Sequence, residues 1–411
     1  MSLCLFEDAR VAHLAPLTLT RAAFDLRVGG RTLLEATVSV FPPSTLTILT
    51  RDSVADVSLQ EHPGAQTGLP EGGTLFLNAR WLIRENEATQ AIQAARHSGE
   101  ARAFVQDDTL LALWHPDARQ LDLTSPGLEL AESIPQEKVS GETVITHLWD
   151  LLADLPARIA YDARQLDGLG TIAGQVQDGA ILVERDQIHI AEGATVRAGA
   201  VVSGDEGPVW IGPGATVEEN AVVRGPVILG PKATVKAAAR VDTSAIGTWS
   251  KVGGEVHESI VHSLSSKGHD GYLGNSYLGR WCNLGADTNT SNLKNDYGEV
   301  TMHDAIAGAA IPTGRQFLGL VMGDHSKCSI NTMFNTGTVV GVSCNLYGSG
   351  FPPRHVPSFA WGGSDGLVPY RAEKALRVAE AVMARRNREL TDADRKLLEG
   401  VARDHGLMAG Q

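Results

Sequence analysis

Aromatic residues are scarce in this chain, 5% of 411 residues. A core built mainly on large rings is therefore excluded, and small side chains must pack in thin layers. Basic residues are also outnumbered, 35 Lys and Arg against 48 Asp and Glu, for a formal net charge of −13. That balance argues against nucleic-acid or anionic-membrane partners. No run approaches the roughly 18 consecutive apolar residues of a membrane span. The amino terminus, MSLCLFEDARVAHL, carries an acidic pair where a secretory leader needs positive charge and a long apolar stretch. Cysteine is confined to Cys4, Cys282, Cys328 and Cys344, scattered without metal-ligand spacing. These absences point to a cytoplasmic protein with reduced, buried thiols and no metal site.

What is plentiful is glycine, with 44 residues, and a spacing of six. Ile190, Val196 and Val202 are six apart, as are Ile211, Val217, Val223, Leu229, Val235 and Val241, and later Met322, Cys328, Phe334, Val340 and Leu346. A helix needs spacings of three and four, and an ordinary strand a spacing of two. Six fits the hexapeptide repeat of a left-handed parallel β-helix, in which three six-residue segments make one triangular coil. Each segment turns one aliphatic residue inward, and backbone groups pair with the coils about 4.8 Å above and below. The phase slips near 204–208, near Ala245 and between Tyr297 and Phe317. Such slips mark loops leaving the coil, where function tends to sit.

Three regions follow. Residues 1–160 read as an α/β domain, with strands at TLTILT (45–50) and GTLFLN (73–78) and a helix over 85–99. A helical connector over 146–166 leads to the β-helix at 175–350. After Gly348 the repeat stops, and 351–411 reads as a loop (352–363) and C-terminal helices that cap the exposed coil end.

Inside the repeat lies KGHDGYLGNSYLGRWCNLGADTNTSNLKND (267–296). It resembles the acetyltransferase half of the bifunctional N-acetylglucosamine-1-phosphate uridyltransferase/glucosamine-1-phosphate acetyltransferase family. There a KAGH-x-x-YLG segment precedes an N-x-G-A-G-T coil and a CNYDG loop. Lys267, Gly268, His269, Tyr272, Leu273 and Gly274 match the first, and Asn283, Gly285, Ala286 and Thr288 the second, while Ser291 and Asn292 replace Cys-Asn. The resemblance implies His269 as general base, Asn292 positioning the amine, Tyr272 lining the sugar site and Asn283 in the substrate-binding set. It also implies acetyl-CoA as donor and a homotrimer with sites between neighbouring subunits. A sugar amine attacking a thioester must shed a proton, and histidine titrates in the useful range. Glycine-rich coils can offer backbone N–H groups to the oxyanion. Lys267 and Lys294 are candidates to meet a sugar phosphate. Tyr272 is also in phase with Leu278 and Leu284, so an inward or stacking place is its alternative. The loop departs from the family at Leu293, Lys294 and Asn295.

APLTLTRAAFDLRVGGRTLLE (15–35) is similar to the PLT…PK…PVGGKPLLE region of sugar-1-phosphate nucleotidyltransferases. The family's glycine-rich phosphate loop is FEDARVAHL here, with two carboxylates and no glycine. The family's Pro-Lys falls on Ala22 and Ala23, and its metal-binding aspartate on LNAR (77–80). Arg21, Arg27 and Arg31 are the cations left to meet a nucleotide, and Mg²⁺ is expected only if this domain is active. The leading expectation is thus a CoA-dependent acetyltransferase acting on the amine of an amino-sugar phosphate or nucleotide sugar, first of all glucosamine-1-phosphate. The alternatives are a sugar-1-phosphate nucleotidyltransferase whose β-helix serves trimerisation, and a non-catalytic binding protein.

Overall fold

The computed structural model describes residues 2–121, 123–124, 127–128 and 133–407. They form two compact units: 1–14, 18–26 and 31–147, and 15–17, 27–30 and 148–411.

The first unit is built on strands β1 (Ser2–Phe6), β2 (Thr45–Leu49), β3 (Thr74–Asn78), β5 (Arg102–Gln106) and β6 (Thr109–His115), with a two-residue strand β4 (Trp81–Leu82) outside the main sheet. Helices α1 (Leu33–Val40), α2 (Asp52–Glu61) and α3 (Glu87–Ser98) connect them. Capping boxes at Thr32–Glu35 and Asn86–Thr89 start α1 and α3, and left-handed Gly99 ends α3. The sheet order is β2-β1-β3-β6-β5, then Gln136–Lys138 at the edge. β1 pairs in parallel with both β2 and β3. The chain therefore leaves β1 toward one side and returns on the other, so the carboxyl ends of β1 and β3 flank the point where strand order reverses. In open α/β sheets that crevice is where ligands bind.

The second unit is the left-handed β-helix that the hexads predict, about ten turns over 175–362. Face one is an eleven-stranded sheet beginning at Gln175–Val176, face two a six-stranded sheet from Ile181–Val183 to Tyr272–Gly274, and face three a nine-stranded sheet from Ile188–Ile190 to His355–Val356. Asn289–Thr290 and Met333–Phe334 pair beyond the last strand of face two. The six-spaced aliphatic residues all point inward and are buried. The slip between Tyr297 and Phe317 is a β-hairpin arm, Val300–Asp304 against Ala309–Arg315.

Two expectations change. The segment 352–363 is not simply a loop: His355–Val356 pairs with Val339–Val340, and Ala360–Gly363 with Asn345–Leu346, adding a further partial coil. Prolines 352, 353 and 357 lengthen its connections and hide the hexad spacing. Nor is Tyr272 inward. Leu273 pairs with Val256 and is fully buried, whereas Tyr272 is half-buried. The corner after Gly274 is short, so the inward residues Leu273 and Leu278 are five apart rather than six.

Helix α4 (Leu155–Gln165) precedes the coils, and α5 (Ala372–Ala384) and α6 (Asp392–His405) follow them. All four cysteines are buried, free thiols. Among the described residues no helix is long and apolar enough to cross a membrane.

Candidate active site

His269 sits on the corner between faces one and two, in the loop joining Ser266–Lys267 to Tyr272–Gly274. Its side chain is exposed. The loop itself is held from below and above. Lys267 occupies an inward position, paired with Val252 in a column otherwise filled by aliphatic residues and cysteine. Its Nζ donates to the carbonyls of His269 at 2.6 Å and Asp270 at 3.0 Å. From the next coil, the Asp287 N–H donates to the Asp270 carbonyl at 3.0 Å. Burial lowers the Lys267 ammonium to about 8. With 1% of its surface exposed and its charge spent on backbone, Lys267 is not offered to a sugar phosphate, which corrects that expectation.

Tyr272 and Asn292 are brought together. Asn292 Nδ2 donates to the Tyr272 hydroxyl at 3.0 Å and to Asn275 Oδ1 at 2.6 Å. Asn275 Nδ2 donates in turn to Glu258 Oε2 at 2.5 Å. Glu258 and Asn275 occupy the same corner in successive coils, with φ of 42° and 45°. Tyr272 bends across Gly274, where any Cβ would strike the ring. On the preceding coils of the same face, His257 Nδ1 bonds the Asp242 carboxylate, and that bond raises the imidazole above its usual range, with burial opposing it. Burial raises the Tyr272 phenol, and the Asn292 bond works the other way.

The other expected residues stand apart. Asn283 is exposed on face one, paired with Ser266 and Lys327. Lys294 pairs with Asp296 at 3.2 Å and donates to the Glu299 carbonyl at 3.4 Å. Glu258, Asn275, Asp242 and His257 were not singled out by motif. The available signal was coil length: Glu258, Asn275 and Asn292 are separated by steps of 17 residues.

In the first unit, the crevice at the ends of β1 and β3 is filled by the chain's own charges. Arg80, fully buried, donates through Nε to Asp8 Oδ1 at 2.7 Å and through Nη2 to Asp8 Oδ2 at 2.6 Å. Burial favours the neutral acid at Asp8, but these bonds outweigh it and hold the carboxyl below its usual range. Asn78 Nδ2 donates to the same carboxylate at 2.9 Å. Glu7, also buried, accepts from the Ala23 N–H at 2.8 Å and pairs with Arg51 at 3.3 Å. Arg80 thus compensates the Asp8 charge, whereas burial raises the Glu7 carboxyl above its usual range despite Arg51; sequence reasoning missed both arginines. Arg21 and Arg31 are buried in the first unit, where Arg31 Nη1 donates to Ser39 Oγ at 2.9 Å. Arg27 counts with the second unit: its N–H donates to the Tyr277 hydroxyl at 3.1 Å, and its guanidinium bonds the Gly30 carbonyl.

The chain thus carries an α/β unit followed by a hexapeptide β-helix. Residues 3–168 match the family described as sugar nucleotidyl transferase. Over part of its length the chain is similar to bifunctional sugar-1-phosphate nucleotidyltransferase/acetyltransferases. It is 33% identical over 93 residues to the bifunctional sugar-1-phosphate nucleotidylyltransferase/acetyltransferase of Sulfurisphaera tokodaii, covering 23% of each chain. It is 29% identical over 167 residues to the bifunctional protein GlmU of Methanocaldococcus jannaschii, covering 34% of this chain and 39% of that one. The matches thus span well under half of these relatives. The solved UDP-N-acetylglucosamine acyltransferase of Francisella novicida covers 56% of this chain and 92% of its own, at 10% identity and a TM-score of 0.26. A likeness that slight adds nothing to the fold described above.

Proposed function

We propose that this protein is a CoA-dependent N-acetyltransferase acting on the amine of an amino-sugar phosphate or nucleotide sugar, with glucosamine-1-phosphate the first substrate to test. The observation that carries the reading is the meeting of Asn292 and Tyr272 at 3.0 Å on the outside of face two. The exposed His269 imidazole stands on the loop that leads directly into Tyr272.

Acetyl-CoA would supply an acyl group activated as a thioester. The residues present fit its narrow arm. Ile330 and Met333, 64% and 38% exposed, lie on the coils beyond His269. The bonds Asp287 N–H to the Asp270 carbonyl and Asn331 N–H to the Ala286 carbonyl mark one continuous corner column between them. In the proposed reaction His269 takes the proton that the attacking amine sheds, Tyr272 lines the sugar site, and Asn292 holds the amine. Lys267 keeps the His269 loop in place from inside the coil. We further propose a homotrimer packed through the solenoid faces, which light scattering would report directly.

The family match over 3–168 favours a second reading, sugar-1-phosphate nucleotidyl transfer with the solenoid serving trimerisation. Its chemistry needs Mg²⁺, and the residues at the β1/β3 crevice do not fit that ion. The Asp8 carboxylate is held by Arg80, whose guanidinium opposes a second cation. The test of the main reading is to incubate the protein with acetyl-CoA and a panel of amino sugars while following free thiol. Release that depends on the amino sugar is expected. No acceptor-dependent release with any sugar would overturn the proposal.

A further inference from the structure

We infer that Glu258 fixes the sense of the Asn292 amide through Asn275, so that Asn292 Oδ1 is aimed at the acceptor amine. The inference rests on the acetyltransferase reading above and makes Glu258 and Asn275 positioning residues, neither of which touches substrate.

The argument is one of donors and acceptors. An ionised carboxylate can only accept hydrogen bonds. Glu258 Oε2 therefore requires the Nδ2 side of Asn275, which lies 2.5 Å away. Asn275, 7% exposed, must then turn its Oδ1 to the opposite side. There it accepts from Asn292 Nδ2 at 2.6 Å. The second hydrogen of that same Nδ2 goes to the Tyr272 hydroxyl at 3.0 Å. Both Asn292 donors are consumed, and no donor among the described residues is assigned to its Oδ1. The Glu258 charge, acting through one intervening amide, has thus decided which end of Asn292 faces outward.

The sense matters for the chemistry. A neutral amine attacks through its lone pair, so its N–H groups must be held by acceptors while the lone pair faces the acyl carbon. An outward Oδ1 does that, whereas an outward Nδ2 would donate to the lone pair and block attack. Tyr272 is set by the same relay. Its oxygen accepts from Asn292, which leaves the O–H hydrogen to donate to a sugar hydroxyl or phosphate oxygen. The site therefore presents one acceptor and one donor in fixed order. It calls for an acceptor with an amine beside a hydroxyl or phosphate.

The relay predicts its own reversal. In Asn292→Asp the donor that faces Asn275 Oδ1 becomes a second acceptor, and Asn275 cannot turn over while Glu258 holds its Nδ2. Adding Glu258→Gln frees it: the introduced glutamine amide can donate to Asn275 Oδ1, and Asn275 Nδ2 can donate to the introduced carboxylate. Acetyl transfer is measured by thiol release for the wild type, E258Q, N292D and the double variant, each checked for folding by circular dichroism. Expected are a rise of roughly tenfold in the KM for the amino sugar in E258Q, with the KM for acetyl-CoA unmoved, as for one misdirected hydrogen bond. N292D should be the slowest, and the double variant should recover about tenfold over N292D, the same single bond regained. Thermal denaturation of the four proteins should show the same recovery, which reads the relay without reference to activity. A folded double variant no better than N292D in both rate and melting temperature overturns the inference. Wild-type protein that releases no thiol with any amino sugar overturns the acetyltransferase reading instead, and with it the claim that Oδ1 meets an amine.

Discussion

Gly274 lies beneath the ring of Tyr272: a Cβ at Gly274 would stand 2.5 Å from the ring carbon that bears the hydroxyl, and closer still to the hydroxyl oxygen. The absence of one side chain lets the phenol reach Asn292. Gly274→Ala should therefore push the ring off its partner while leaving the coil intact, since the residue sits in a strand with an inward-packed neighbour, Leu273. A displacement on the order of 1 Å costs up to about 10²-fold in rate. We expect acetyl transfer to fall by roughly 10-fold or more, with a melting temperature within a few degrees of wild type. An unchanged rate would remove Tyr272 from the site.

Arg80 and Asp8 give a prediction for the first unit. Breaking a buried, bidentate pair by removing one partner leaves an uncompensated charge, which costs about 3–5 kcal/mol. Asp8 retains some solvent contact, so Arg80→Ala should fall at the lower end of that range in urea denaturation. A loss below about 1 kcal/mol, the scale of an exposed pair, would show that the pair does not close the crevice. The same account expects no more than background pyrophosphate release from UTP, Mg²⁺ and a sugar-1-phosphate. Robust release would show that the crevice opens to nucleotide after all.

The arm on the coils carries a pH dependence. His303, on the arm, stacks on His355 of the outer coil with centroids 3.5 Å apart and planes 10° apart. Desolvation within the stacked pair, with the neighbouring His303 adding to it, pushes His355 down to about 4 although part of its surface is exposed, and burial also lowers His303. Between pH 6.5 and about 4 the unfolded chain binds protons that the folded His355 refuses. Stability is therefore fully present above 6.5 and is lost as pH falls toward 4. His355→Phe, which keeps a ring for stacking, should flatten this part of the profile in denaturant titrations at several pH values. A variant that loses stability over the same interval as steeply as the wild type would contradict the assignment.

The architecture was legible because the inward column of a β-helix is written directly in the sequence. Val217, Val223 and Leu229 must each face the core, and nothing else explains their spacing. Tyr272 was misplaced in one of its two readings because corner lengths vary. Leu273 to Leu278 is a step of five, and only the folded corner at Asn275 shows it. Lys267 resembled a surface lysine because an ammonium inside an aliphatic column is intelligible only once the carbonyls of His269 and Asp270 are seen above it. The Glu258–Asn275–Asn292 chain was invisible for a related reason. Residues 17 apart meet only after the coil length is known. In the first unit, Glu7 and Asp8 looked like uncompensated charges because their partners, Arg51 and Arg80, are more than 40 residues away in sequence.

The central claim is that His269 accepts the amine proton, and the rate of acetyl transfer by His269→Ala tests it most directly. With saturating acetyl-CoA and glucosamine-1-phosphate, thiol release should fall about 10²–10⁴-fold, the usual contribution of a positioned base. Binding of acetyl-CoA and the melting temperature should stay close to wild type, since the side chain is exposed on a loop held by Lys267. Raising the pH should restore part of the rate as more of the amine is already free. A variant that keeps the full wild-type rate would contradict the account.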